Sequence, residues 1–189
     1  MRSTVLLGVA LGLLATVPTA AQTKAVLTFA HDQHMVIVPF YTWNHHIYVK
    51  ARVNDSQDLD FLFDPGAQAT GVLVDPSVAE TTNFPVTDSV VLWLKTLKIA
   101  RQRVTWTAQK DLEAKAGHPF SGVLGYGFLR NFVLRFDGRH GRLIITDPTY
   151  FEDNTLRGKV PVGGDLMLLL REGKTVTLNF PRNYMIISE

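Results

Sequence analysis

The run Phe61-Leu62-Phe63 stops at Asp64-Pro65-Gly66, and that junction constrains the fold more than any other stretch of the chain. Aromatic and large aliphatic side chains in a short run suit a buried, pleated strand. Proline fixes φ at about −65° and holds the residue before it extended, while glycine admits turns that other residues resist. One carboxylate, Asp64, is therefore set where a buried strand breaks into a turn. A carboxylate so placed either caps the turn through local hydrogen bonds or does chemistry.

The rest of the pattern is also β. Lys24 to Ala30 and Met35 to Pro39 are candidate strands. Trp43 to Val53 alternates, with Ile47, Val49, Ala51 and Val53 on one face and His46, Tyr48, Lys50 and Arg52 on the other, as a half-buried strand requires. Asn54-Asp55-Ser56-Gln57 is a turn, and Asp60 to Phe63 returns. Thr70 to Val74, Phe84 to Val86, Val90 to Leu94, Leu97 to Ile99 and Val104 to Thr107 follow as short strands with brief connections, the signature of a β-barrel or folded sheet. Asp75-Pro76-Ser77 opens a short helix through Ala79, with proline in its first turn. Asp111 to Gly117 is polar and reads as a loop or a single frayed turn.

Phe61-Leu62-Phe63-Asp64-Pro65-Gly66-Ala67 resembles the active-site turn of retropepsin-like aspartic proteases, in which apolar residues precede Asp, Thr or Ser, Gly, and Ala or Ser. A second stretch, Gly122-Val123-Leu124-Gly125-Tyr126-Gly127-Phe128-Leu129, with Val133 to Asp137 and Arg142 to Ile145 after it, is similar to that family's apolar-apolar-Gly segment, short helix and last two strands. The resemblance runs from Val36 to Pro148. It implies a mainly β lobe, a closed or folded β-barrel with one short helix at Tyr126 to Asn131, whose Phe128, Leu129 and Phe132 face inward. It also implies that Asp64 is catalytic, that Pro65, Gly66 and Ala67 form the active-site turn, and that Val123, Leu124 and Gly125 support it. A flap would fall within Val90 to Gln109.

The activity so implied is that of an aspartic endopeptidase. Two carboxylates share one proton and activate a water against a peptide bond. A single lobe carries a single Asp, so the resemblance implies a homodimer that pairs Asp64 with its copy. The partner would be a peptide or protein substrate. Pro65 departs from the family pattern: it has neither the hydroxyl nor the N–H that helps knit two such turns together. The alternative is a catalytically inactive peptide- or protein-binding module of the same fold.

Met1 to Ala21 reads as a leader. Arg2 supplies a positive start, Val5 to Ala15 is apolar but too short to span a bilayer, and Pro18-Thr19-Ala20-Ala21 ends in small residues. Export to the periplasm or the exterior is the expectation, with no membrane span left after cleavage. The lobe is expected over residues 25–148. Residues 149–189 form a C-terminal β extension that resembles the start of an incomplete second lobe, with strands at Gly158 to Val162, Leu166 to Arg171, Lys174 to Phe180 and Tyr184 to Ile187 and a turn at Glu172-Gly173. A hairpin covering or extending the sheet is the preferred reading, because open strand edges are usually covered.

The chain has no cysteine, which removes disulfides, thiol catalysis and thiolate metal sites. Its formal net charge of +2 gives no case for nucleic acid. His31, His34, His45 and His46 crowd near the start, but His45 and His46 are adjacent in a predicted strand and point to opposite faces, so no metal site is expected. His118 and His140 lie in predicted loops with no triad motif beside them. Ser121-Gly122 lacks the Gly-x-Ser-x-Gly frame, and Gly125-x-Gly127 lacks the residues of a phosphate loop. No cofactor is expected. Trp43, Trp93 and Trp106 read as core or edge aromatics.

Overall fold

Alternation in His46–Val53 decides how the sheet curls. Ile47, Val49, Ala51 and Val53 are buried on one face, and strands that share that face can bury it by closing on one another. A computed structural model of the protein describes residues 24–151, 159–161, 174–179, 181 and 184–188. Its strands are β1 (Val26–Thr28), β2 (Met35–Trp43), β3 (His46–Val53), β4 (Leu59–Asp64), β5 (Val72–Val74), β6 (Ser89–Leu94), β7 (Leu97–Trp106), β8 (Gly122–Gly125), β9 (Val133–Asp137), β10 (Arg142–Thr146), β11 (Lys159–Pro161), β12 (Thr175–Asn179) and β13 (Tyr184–Ser188). The α-helices are α1 (Ser77–Thr82), α2 (Lys110–Ala116) and α3 (Tyr126–Leu129).

The fold is mainly β and built on a closed barrel. Around the ring β4 joins β8, β8 joins β5, β5 joins β7, β7 joins β6, β6 joins β3, and β3 returns to β4. Most contacts are antiparallel, but β4 pairs β8 in parallel and β5 pairs β7 in parallel. The apolar core continues from the barrel interior, through Phe61, Phe63 and Leu124, to a second sheet region of β2, β10, β9 and β12. There α3 docks. Four residues cannot hold a helix alone, so α3 stands on Phe128 and Leu129, each 1% exposed. Burying each such side chain contributes about 1.5–3 kcal/mol.

Several expected elements appear where the sequence puts them, among them β4, β6, β8, α3 and the β9–β10 hairpin, in which Gly141 takes φ 60°. Others differ for identifiable reasons. The strand expected from Trp43 starts at His46, because Asn44 and His45 both adopt positive φ and form the tight turn that joins β2 to β3. His45 is thus a turn residue rather than a strand residue. Leu97 to Ile99 and Val104 to Thr107 are one strand, β7. A bulge lies between Ile99 and Gln102: Val90 faces Gln102 while Leu92 faces Ile99, so β7 carries one extra residue there, and Arg101 sits at φ 55°.

Phe84 to Val86 is not a strand, and Thr70 and Gly71 precede β5 rather than belong to it. α1 extends past Ala79 to Thr82, ending at Asn83 in the left-handed region. Lys110–Ala116 is a helix with Gly117 closing it at φ 66°. The interval in which a flap was expected forms the β6–β7 hairpin, whose two strands are staves of the barrel wall. In the C-terminal region β12 pairs β9 and β13 pairs β12, lengthening the sheet. The leader, the strand expected at residues 166–171 and the turn at 172–173 lie outside the described residues. Among the described residues, no helix is long and apolar enough to cross a membrane.

Candidate functional site around Asp64

Asp64 is the last residue of β4, half-buried, after three fully buried neighbours. The turn that follows is held by its own backbone. The Gly66 N–H donates to Asp64 Oδ1 at 2.8 Å, and the Ala67 N–H donates to the Asp64 carbonyl at 3.1 Å. Pro65 contributes no N–H, so Gly66 is the first residue that can reach back. Asp64 Oδ2 has no hydrogen-bond partner among the described residues. One carboxylate oxygen is oriented and the other is open.

The parallel register sets Phe63 beside Leu124 and Asp64 beside Gly125, so Val123, Leu124 and Gly125 lie alongside the end of β4. The chain after the turn crosses this segment at close range. The Tyr126 N–H donates to the Ala67 carbonyl at 2.9 Å, and a Cβ on Gly125 would stand 2.6 Å from that same oxygen. The structure therefore brings Asp64, Pro65, Gly66 and Ala67 together with Gly125.

Beneath the turn lies a second apolar cluster on the outer face of the barrel. Tyr48, Leu62, Ala116, Phe120 and Val123 are buried there, and Ala67 packs against them. Here α2 explains an apparent breach of alternation: Tyr48 points outward from β3 yet is 0% exposed, because Ala116 and Phe120 cover it. The Phe120 N–H donates to Glu113 Oε1 at 2.9 Å and fixes this cover.

A polar chain rims the cluster. Lys50 Nζ donates to Asp60 Oδ2 at 2.7 Å, and the Tyr41 hydroxyl donates to Asp60 Oδ1 at 2.6 Å. Since that hydroxyl has one proton, the 3.0 Å contact between Tyr41 and His118 Nε2 has the imidazole as donor. Tyr41 stacks on Tyr48, and the His118 ring meets Tyr41 and Tyr48 edge-on and Trp43 at a tilt. Burial, then the hydrogen bond to Asp60 and its charge, push the Tyr41 hydroxyl far above the usual tyrosine range. Burial and the Asp60 charge also raise Tyr48, whose hydroxyl finds no partner among the described residues.

No local spacing in the sequence announces this network, because its members come from β2, β3, β4 and the loop after α2. The absence of a motif beside His140 did not mean absence of an acid partner: His140 Nδ1 meets Asp137 Oδ2 at 2.7 Å. Neither arrangement includes a serine.

The four N-terminal histidines do not converge. His31 lies in a short 3-10 turn with φ 54°, His34 stacks flat on Tyr150, His45 is in the β2–β3 turn and His46 begins β3. Among the described residues no group of three or more metal-binding side chains assembles.

No family model matches this chain, and no curated protein matches its sequence. Among solved structures it is similar to the crystal structure of a retropepsin-like aspartic protease from Rickettsia conorii, at 16% identity and a TM-score of 0.35, over 65% of this chain and 94% of that one.

Proposed function

We propose that the chain is an exported aspartic-endopeptidase-like lobe that works as a homodimer, with Asp64 of each copy contributing one carboxylate. The observation that carries this reading is the state of Asp64 at the end of a buried strand, with Oδ1 fixed by the Gly66 N–H and Oδ2 open. In the chemistry proposed, the paired carboxylates hold a single proton between them. One takes a proton from a water, the other protonates the carbonyl oxygen of the scissile peptide, and a tetrahedral intermediate forms. An extended peptide would lie in the groove between the two copies. The leader expected at Met1 to Ala21 supports export.

The test is cleavage of an unstructured protein or peptide mixture by the purified chain at about pH 4–6, where a shared-proton dyad is competent. Asp64→Asn is run beside it, with sedimentation to follow assembly. The expected result is cleavage by a dimer, lost in Asp64→Asn. A folded chain that cuts nothing, or a variant that cuts equally well, overturns the reading and leaves a peptide- or protein-binding module.

A further inference from the structure

A cleft of 870 Å³ opens beside the segment that follows the Asp64 turn, reached from that turn through Thr70 and Gly127. Its walls are unusual in charge. Among the described residues, Lys24, Arg101, Arg103 and Arg130 line it against a single carboxylate, Asp147. That carboxylate is already engaged: its Oδ1 accepts from the Thr149 N–H at 2.9 Å and from the Thr149 hydroxyl at 2.7 Å. Neither ion pair found among the described residues involves any of the four cations. A chain whose formal net charge is only +2 thus concentrates in one concavity positive charge that forms no ion pair among the described residues.

Two further features bear on what would fill it. The β7 bulge puts Arg101 at φ 55°, a conformation that does not favour arginine, and leaves Arg101 and Arg103 both exposed on either side of buried Gln102. In addition β1, which lines the same cleft, pairs only with β7 and ends the strand order, so among the described residues its second edge carries no strand. Val26 on it is 41% exposed. An open strand edge offers backbone donors and acceptors at regular spacing to another extended chain.

We propose that this cleft binds an acidic peptide in extended conformation, which adds to the β1 edge that carries no strand among the described residues and presents carboxylates to Arg101, Arg103 and Arg130. Charge alone would admit any polyanion. The strand edge selects a peptide, because a nucleic acid has no backbone amide to pair with it. Peptide is also the substrate class of the activity proposed above, and to that extent the inference rests on that reading. It makes the cleft a specificity site for acidic segments next to the Asp64 turn.

The test is binding, measured by fluorescence anisotropy with the Asp64→Asn chain, so that cleavage plays no part. The probe is a short labelled peptide alternating Glu and Thr, compared with its Gln-for-Glu counterpart and with a single-stranded oligonucleotide of equal charge. The acidic peptide is expected to bind about tenfold or more tightly than the Gln peptide, with an affinity that falls as salt rises. Arg101→Gly removes a cation while relieving the positive φ, so the fold is kept, and it is expected to weaken binding about fivefold. Arg101→Lys is expected to retain most of the affinity.

Equal binding of the Gln peptide overturns the proposal. So does equal or tighter binding of the oligonucleotide, or affinity unchanged in Arg101→Gly and in an Arg103→Gln, Arg130→Gln double variant. A dimer whose formation depends on these arginines and which acidic peptide does not compete away would assign the cleft to a second copy, and also overturns it. Acidic-peptide binding with no cleavage by the wild-type chain would uphold the cleft and sink the peptidase reading, so the two failures are separable.

Discussion

Gly127 lies so close to Ala69 that a Cβ on the glycine would overlap the Ala69 carbonyl oxygen and press on Thr70. The contact joins the first turn of α3 to the strand-to-turn segment that begins at Asp64. Two effects oppose each other in Gly127→Ala. Alanine favours a helix over glycine by about 1 kcal/mol. Overlap with backbone that cannot swing aside costs about 1–3 kcal/mol. The overlap is with main chain, so net destabilisation is expected, with a lower urea midpoint and loss of any Asp64-dependent activity. An unchanged or raised midpoint would show that the two segments do not meet.

Pro65→Thr separates rigidity from chemistry. Replacing proline loosens the unfolded chain and is expected to lower stability by about 0.4–1 kcal/mol. Threonine brings back a hydroxyl and an N–H next to Asp64. If the turn is held loosely for want of these, the rate of peptide cleavage rises, by up to about 100-fold for a correction of small misplacement. On the proposed function, a less stable chain that cleaves peptide faster is the expected outcome. A slower one would show that proline aids the turn.

Asp75 provides a pH test away from the candidate site. Its Oδ1 accepts from the Ser77 N–H at 3.0 Å and its Oδ2 from the Gln109 N–H at 2.9 Å, tying the start of α1 to the approach to α2. Burial alone would push this carboxyl up. The Ser77 and Gln109 bonds and nearby Lys110 more than offset it and hold the group below the usual carboxylate range. A depressed folded value means the stabilisation is complete above the unfolded pKa of about 3.9 and is lost as pH falls through the folded one. Asp75→Asn keeps one acceptor and orphans one amide, so a loss of about 1–2 kcal/mol is expected near pH 7. Urea unfolding at about pH 3 should show that gap shrinking. A gap that stays constant between the two pH values would contradict this account.

Tyr41 and Tyr48 give the alkaline counterpart. Both are raised, first by burial and then through Asp60, so the neutral hydroxyl is the form the fold favours. The associated stability is present below about pH 10 and is lost only as pH rises through the folded values. Of the five tyrosines in the chain, these two are expected to stay un-ionised in tyrosinate absorbance until the protein unfolds in base. In Tyr41→Phe one late proton should vanish from that titration. Simultaneous ionisation of all five near pH 10 would count against the buried network.

What was legible in the sequence follows physical locality. Phe61 to Gly66 and Gly122 to Leu129 could be read directly, because apolar run, carboxylate, proline and glycine each carry their own backbone preference. β7 was not legible as one strand: Arg101-Gln102-Arg103 looks like an interruption until Gln102 is seen to be buried, at 5% exposure, beside a bulge. α2 was missed because it buries only Ala116 and leaves Leu112 42% exposed, which gives almost no apolar stripe to detect. The approach of Asp60, Tyr41 and His118 depends on strand register and on where α2 ends. No spacing along the chain encodes it. The same holds for the basic cleft, whose cations come from just before β1, the middle of β7 and just after α3.

The parallel contact between β4 and β8 also bears on the order in which the protein is made. Phe61 pairs with Gly122, so the ladder that supports Asp64 closes a loop of about sixty residues. A ribosome would release β4 well before β8. Until β8 arrives, the end of β4 is held on one side only, by its pairing with β3, and Asp64 lacks the neighbour that Gly125 provides. Contacts so distant in sequence form slowly compared with local hairpins such as β2–β3. A competent carboxylate would then be among the last features of the molecule to mature, and the nascent chain would pass through synthesis with its candidate chemistry unassembled.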